Sequence, residues 1–217
     1  MITKTNIQDQ VYAELRKQII QMELLPGTSI SVYDVSDRLG VSRTPVREAF
    51  IRLSGESLVE VHPQRKTQIS RISMKRVYQE CFLRTSLERS VLVPFIEIRT
   101  DTHIDAMQKL LDRQIAYAEQ GMIAECLNVD DAFHHVAFVV TSQLLSWKAI
   151  EQTNGHYRRM RFLTLKDSYS LAETFQHHKQ IIEAVKTRDV AAAQNVLGIH
   201  CRIASLKAQW PDYFVDE

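Results

Sequence analysis

Glycine and proline are scarce in this 217-residue chain, at six and five copies, which leaves little room for a turn-rich β fold and points to long helices. Cysteine is scarcer still. Cys81, Cys126 and Cys201 are odd in number, widely separated and free of any CxxC pair, so neither a disulfide framework nor a zinc–thiolate site is expected. No apolar run approaches the roughly eighteen residues of a membrane span. The opening MITKTNIQDQ lacks the charged start and apolar core of a secretion signal. These absences together fit a protein of the reduced cytoplasm with no membrane partner. A strong charge of either sign is missing as well: the net charge is +1, which excludes a uniformly basic nucleic-acid coat.

The charge that is present is unevenly placed. Residues 1–73 hold ten Lys and Arg against eight Asp and Glu, whereas residues 74–217 hold seventeen against eighteen. Between Arg38 and Arg52 four arginines face a single acid, Glu48. Local positive charge is what a DNA-reading surface needs. Around it the chain reads as three short helices. Ile7, Val11, Leu15 and Ile19 recur every four residues, and Pro26–Gly27 break that helix. Ser31 caps a second helix with Val32, Val35 and Leu39 inward, and Gly40 ends it. After GVS a third helix starts with Ser42 or Thr44 as its cap and Pro45 in its first turn, where the missing N–H costs nothing. Val46, Phe50 and Leu53 share its apolar face, and Arg43 and Arg47 stand on the opposite one.

Two short helices joined by so tight a turn make a helix-turn-helix, whose second helix enters the major groove of DNA. An arginine near its start can give two hydrogen bonds to a guanine, and the hydroxyls of Ser42 and Thr44 suit phosphate oxygens. Downstream, Val59, Val61 and Ile69 alternate with polar residues in LVEV and TQIS, predicting two strands with His62, Gln64, Arg65 and Lys66 on the turn between them. A solvated helix face is the usual fate of paired arginines, but caps, turn, helix and wing in this order favour DNA binding. LLPGTSISVYDVSDRLGVSRTPVREAFIRLSGESLVEV resembles the DNA-binding domain of the GntR family of bacterial transcription regulators. The resemblance implies base contacts from Arg43 and Arg47, phosphate contacts from Ser42 and Thr44, and wing contacts from Arg65 and Lys66. Two positions depart from the family pattern: Lys66 stands where the wing tip usually has glycine, and Ser57 stands in ESLV where EGLV is usual.

From residue 73 onward the reading is helical throughout, with candidates over Met74–Pro94, Asp101–Gln120, Met122–Val140, Leu144–Leu165, Ser170–Thr187 and Asp189–Trp210. Pro94 is expected to end or kink the first. Ser170 and Glu173 suggest a capping box, and Asp189 a cap for the last helix. The fold class is therefore mainly α: a winged helix-turn-helix over 1–72 and an all-α six-helix bundle over 73–217. Asp130 and His134 lie four apart on one helix face. If the last two helices form a hairpin turning near Arg188, His178 and His200 stand level, each about 15–18 Å from the turn at 1.5 Å rise per residue. One carboxylate and three imidazoles at one height suit a divalent transition metal; each histidine could equally be a packing residue. His135 and His177, one position away, are expected to face elsewhere.

DDAFHHVAF and HHKQIIEAVKTRDVAAAQNVLGIH are similar to the FCD ligand-binding domain of the FadR branch of GntR regulators. That similarity implies Asp130, His134, His178 and His200 as metal ligands, and six helices resemble the shorter VanR-like subgroup. FLRTSLERSVL matches the family's R-x-x-L-E helix, which implies that Arg84 holds an effector carboxylate, although an ion pair with Glu88 at i+4 is an equal reading. The expected function is a cytoplasmic regulator, most simply a repressor, that binds inverted-repeat operator DNA as a homodimer. Zinc is the first choice of metal, with nickel, iron and manganese as alternatives, and it would hold a small carboxylate or sugar acid. A metal-dependent enzyme and a regulator binding its effector without metal are the competing readings.

Overall fold

Local turn chemistry sets most helix boundaries in the computed structural model, which describes residues 6–61, 67–202 and 210–215. Two compact units result. The first takes residues 1–77 together with 154–159 and 206–217; the second takes 78–153 and 160–205.

In the first unit, α1 (Ile7–Ile20) is capped by Asn6 and buries Val11, Leu15, Ile19 and Ile20, while Ile7 is exposed. After the Pro26–Gly27 turn comes β1 (Ser29–Ile30). Ser31 Oγ accepts the N–H of Asp34 at 3.0 Å and starts α2 (Val32–Leu39), which Gly40 ends in the left-handed region at φ 63°. Valine 35 is the apolar residue of α2 that is fully buried; Val32 and Leu39 are half-buried. The third helix, α3 (Arg43–Gly55), buries Pro45, Val46, Ala49, Phe50 and Leu53. Two further strands, β2 (Val59–Glu60) and β3 (Thr67–Ile69), complete an antiparallel sheet in the order β1-β3-β2, with Val59 opposite Ile69 and Ser29 opposite Gln68. Val61 is exposed and lies past the end of the β2 ladder. The predicted wing residues His62, Gln64, Arg65 and Lys66 lie outside the described residues.

A short segment from far along the chain completes this unit. Arg159 is fully buried and donates through Nη1 to the Ser70 carbonyl at 2.6 Å and through Nη2 to Ser70 Oγ at 3.2 Å. His156 Nδ1 accepts the N–H of Ser73 at 3.1 Å, so its proton sits on Nε2, 3.1 Å from the carbonyl of Ser57. Burial, with Arg159 and Arg76 adding to it, lowers the His156 imidazole to about 3. Near the C-terminus, Ile72 exchanges backbone hydrogen bonds with Tyr213 and Val215.

The second unit is built from α4 (Met74–Ile98), α5 (Asp101–Glu119), α6 (Ile123–Val140), α7 (Leu144–Thr153), α8 (Gly155–Thr164), α9 (Ser168–Thr187) and α10 (Val190–His200), with the first turn of α4 and the first half of α8 belonging to the first unit. Phe95, Leu111, Phe133, Phe138, Ile181 and Val185 form its core. Four boundaries differ from those predicted, one of them at the end of the last helix: α10 stops at His200 with Cys201 as its C-cap, not at Trp210, which is not helical. Helix α4 continues through Pro94 to Ile98. Proline inside a helix costs about 3 kcal/mol, but Pro94 is exposed and the following turn buries Phe95 and Ile96, each contributing about 1.5–3 kcal/mol. The single helix predicted over Leu144–Leu165 is broken at Asn154, so seven helices rather than six are seen among the described residues. Gly155, the first residue after the break, packs closely on a distant part of the chain: a Cβ there would lie 2.9 Å from the buried Leu58 side chain and 3.2 Å from the Glu56 carbonyl. Helix α9 starts two residues earlier than the expected cap at Ser170, because Asp167 accepts the Ser170 N–H at 2.8 Å and so takes the capping role. Asp189 does cap α10, accepting from Ala192 at 2.9 Å.

Two expected outcomes follow from the first unit. Ser57 has φ 58°, a left-handed conformation that costs most residues about 1–2 kcal/mol and glycine nothing. Ser57→Gly is therefore expected to stabilise this unit, by up to about 1 kcal/mol after the entropy lost by a freer unfolded chain; an unchanged or lower urea midpoint would contradict it. His156 binds its proton less tightly when folded than when unfolded, near 6.5, so stability falls as pH drops from about 6.5 towards about 3. His156→Gln, whose amide can also accept from Ser73 and donate to Ser57, is expected to flatten that decline by up to about 1.4 kcal/mol per pH unit. Parallel pH–stability curves for the two proteins would count against the assignment.

Candidate metal centre and nucleic-acid interface

Asp130 and His134 project from one face of α6 because residues four apart stack on a helix. His178 comes from the middle of α9 and His200 from the last position of α10. The hairpin between α9 and α10 turns at Arg188, left-handed at φ 58°, so the two histidines arrive level, with ring centres 4.7 Å apart. The Nε2 atom of His134 is 3.1 Å from that of His200 and 3.3 Å from that of His178. Asp130 places Oδ1 3.5 Å from His178 Nε2 and Oδ2 3.8 Å from His134 Nε2. One potential ligand atom from each of the four residues lies within 4.8 Å of all the others.

The surroundings keep this set in a state that suits a cation. Asp130, His134 and His178 are buried, and His200, though half-buried as a residue, has an Nδ1 shut off from solvent with no hydrogen-bond partner. Burial lowers the His178 imidazole to about 3 and His200 well below its ordinary value, so both are neutral. Burial alone would raise the Asp130 carboxyl, but the Arg161 guanidinium outweighs it and holds the group well below the usual carboxylate range. Phe133 stacks on His178 at 4.1 Å between ring centres and fixes its plane. Imidazole nitrogens converging on one another and on a carboxylate are a fitting donor set for a divalent transition metal.

A ring of charged and amide groups surrounds the four residues. Arg84, on α4, pairs through Nε with Glu88 and donates through Nη1 to Asp131 at 3.0 Å. Of the two sequence readings of Arg84, the ion pair with Glu88 is therefore formed; its Nη2 is 4.0 Å from Asp130. Glu88 reaches His134 Nδ1 at 2.8 Å, close but not aligned for a hydrogen bond, and its carboxyl lies at about 2 because Arg84 and His134 outweigh the effect of burial. Arg161, on α8, holds Asp130 with one nitrogen and Asp131 with the other, the second at 2.7 Å. Gln114, fully buried on α5, spans Asp130 and His178. Sequence reasoning missed Gln114, Asp131 and Arg161. Asp131 stood beside a chosen ligand in DDAFHH, Arg161 stood in an arginine-rich YRRMRF, and a lone glutamine gave no signal. His135 turns away to stack on Trp147 at 4.8 Å, whereas His177 stays 5.8 Å from the His200 ring. Beneath the cluster is an apolar cavity of about 20 Å³ bordered by Leu92, Met107, Phe138 and Leu197, room for no more than a water molecule.

In the first unit the arginines around α3 divide into two groups. Arg38 donates to Gln18 at 2.9 Å, and Arg52 pairs with Asp9 at 2.7 Å while lying over the Tyr12 ring. Arg43 and Arg47 are exposed; Arg43 lies 5.4 Å from the centre of the exposed Tyr33 ring, and neither makes an ion pair among the described residues. Ser42 occupies the cap position of α3 without a side-chain cap hydrogen bond, so its hydroxyl faces solvent beside that of Thr44. The residues at the start of α3 thus present cationic and hydroxyl groups from one exposed edge, while its apolar face is sealed in the core.

Comparisons with known proteins agree with this division. Residues 7–69 match the gntR family of bacterial regulatory proteins, and residues 81–202 match the FCD domain. The chain is 27% identical to the HTH-type transcriptional repressor RspR of Escherichia coli over 97% of its length and 95% of the relative's. It is 30% identical, over 99% of its length and 92% of the relative's, to an HTH-type transcriptional regulator in an unstable DNA locus of Streptomyces ambofaciens. Among solved structures it shares the fold of E. coli McbR/YncC, with a TM-score of 0.77 and 21% identity over 91% of this chain and 94% of that one. A GntR regulator from Rhodococcus is similar, with a TM-score of 0.74 and 20% identity. An N-terminal helix-turn-helix followed by an FCD domain, matched along almost the whole chain by bacterial regulators, places this protein in the GntR family of DNA-binding transcription regulators.

Proposed function

We propose that this regulator binds an inverted-repeat operator as a homodimer, through residues 1–72, and changes its DNA affinity when a small carboxylate or sugar acid reaches a metal held in the helical region, residues 73–217. The observation that carries the metal part is the meeting of Asp130, His134, His178 and His200 within 4.8 Å in a buried pocket. A bound divalent ion, zinc before nickel, iron or manganese, would supply positive charge and open coordination positions to an anionic ligand. Asp130 and the three imidazoles would hold it, with Gln114 and Glu88 orienting the rings. Arg84 keeps a proposed role towards the effector, now as a guanidinium shared with Glu88 and Asp131. The small apolar cavity beneath His134 is no site for a metabolite, and half-buried His200 marks the more open approach. Placement in the VanR-like subgroup rests on six helices, and the separation of α7 from α8 removes that argument.

On the DNA side, Arg43 and Arg47 are proposed to read bases, each able to give two hydrogen bonds to guanine O6 and N7. Ser42 and Thr44 are assigned to phosphate, and Arg65 and Lys66 to the backbone beside the wing. A ligand changes operator affinity only by binding one conformational state better than another. Repression relieved by the effector is the simplest behaviour, in keeping with RspR, which is named a repressor. The cytoplasm is the expected place of action.

Arg47→Ala is expected to reduce discrimination between operator and random DNA by about 1–3 kcal/mol. Equal weakening on both DNAs, measured at one salt concentration, would reduce Arg47 to a phosphate contact. His178→Ala is expected to lose stoichiometric metal and the effector response while the metal-free protein, though less stable, still melts cooperatively. Elemental analysis that finds full metal in this variant would overturn the ligand set.

A further inference from the structure

One side chain outside the four-residue cluster bridges two of its members. Gln114 is fully buried and sits between two of the four residues. Its Nε2 lies 3.0 Å from Asp130 Oδ1, and its Oε1 lies 2.8 Å from His178 Nδ1. An ionised carboxylate only accepts hydrogen bonds, so the NH2 end of the amide must face Asp130. The carbonyl end is then left for His178, and a carbonyl only accepts, so His178 Nδ1 must carry the proton. A neutral imidazole has one proton, and His178 Nε2 is therefore a bare lone pair aimed at His134 Nε2 and Asp130.

We infer that Gln114 is a positioning residue for the metal, a single amide that assigns the proton of His178 and orients the carboxylate of Asp130 at the same time. The three imidazoles are served differently. His134 has the Glu88 carboxylate beside Nδ1, His178 has a neutral amide carbonyl, and His200 Nδ1 has no partner. Ring nitrogens opposite a metal ordinarily donate to a carboxylate, a carbonyl or water, which fixes the tautomer and raises the basicity of the ligating nitrogen. Gln114 fills that place for His178 and adds a bond to a second ligand. Without it, His178 gains by moving its proton to Nε2, because Asp130 Oδ1 stands 3.5 Å away as a ready acceptor. That proton would cover the lone pair a metal needs. The inference deepens the metal reading above, but the order of protons does not require a metal to be present.

The test uses full-length Gln114→Met, which keeps an unbranched chain of similar volume and removes the amide. Zn(II) alone is the probe, titrated against a chelating dye. The variant is expected to bind Zn(II) about 10–100-fold more weakly than the wild type. Nitrogen-15 NMR of the metal-free proteins is the second readout: His178 is expected as the Nδ1–H tautomer in the wild type and shifted towards Nε2–H in the variant. Loss of packing alone would weaken binding without moving the proton. Retained Nδ1–H in the variant, or equal Zn(II) affinity in the two proteins, overturns the inference. If the wild type binds no Zn(II), the metal reading fails, while the His178 tautomer still decides whether Gln114 orders the protons.

Discussion

The helical unit is organised around one convergence: the Nε2 atoms of three imidazoles meet beside a buried carboxylate, with His134 Nε2 3.1 Å from that of His200 and 3.3 Å from that of His178. Everything near it serves to hold that arrangement in place. Helix α6 supplies two of the groups at one helical step, and the α9–α10 hairpin supplies the other two from opposite directions. Phe133 fixes one ring by stacking, and the Arg84–Glu88 and Arg161–Asp131 pairs keep the surrounding charges compensated in a medium where an uncompensated one costs several kcal/mol. Burying so many polar nitrogens and carboxylates at one point is costly unless each finds a partner. That requirement, more than any single residue, ties the packing of this unit to the chemistry proposed for it.

The DNA-binding side rests on the opposite principle, groups left unsatisfied at the surface. Four arginines lie within fifteen residues, yet two of them are spent on Gln18 and Asp9 and two are kept for solvent. The contrast supports the base contacts proposed for Arg43 and Arg47 over a merely charged helix face. An arginine tied to its own fold has already lost part of the bonding capacity that base recognition needs, whereas Arg47 keeps all five donors free of the other described residues.

How much of this could be read from the chain follows from the range of each interaction. The helix-turn-helix was legible because its determinants are local: Ser31 and Gly40 bracket α2, and Pro45 sits in the first turn of α3, with no information needed from elsewhere. The level of His178 and His200 was legible from the rise of a helix and one turn at Arg188. What escaped was set by distant packing. Gln114 is one polar residue on a helix with no periodic mark, and its meaning appears when α5 lies beside α6 and α9. The break at Asn154 falls where Gly155 packs on Leu58, almost a hundred residues earlier, and Pro94 is carried along inside α4 by the burial of Phe95 and Ile96. The Asp167 cap was overlooked for a simpler reason: Ser170 offered a good cap, and Asp167 a better one.

The segment Asn154–Arg159 has a consequence for how such a molecule can be taken apart or recombined. Ser70 gives its carbonyl to Arg159, Ser73 its amide to His156, and Ile72 pairs with the stretch around Phe214. A fragment ending at residue 72 would carry the groove-reading helix intact but lose the side chains that close the base of its sheet. The border of the DNA-reading half therefore does not coincide with any single cut in the polypeptide, and exchanging that half between regulators would require the grafted helix start and tail to travel with it.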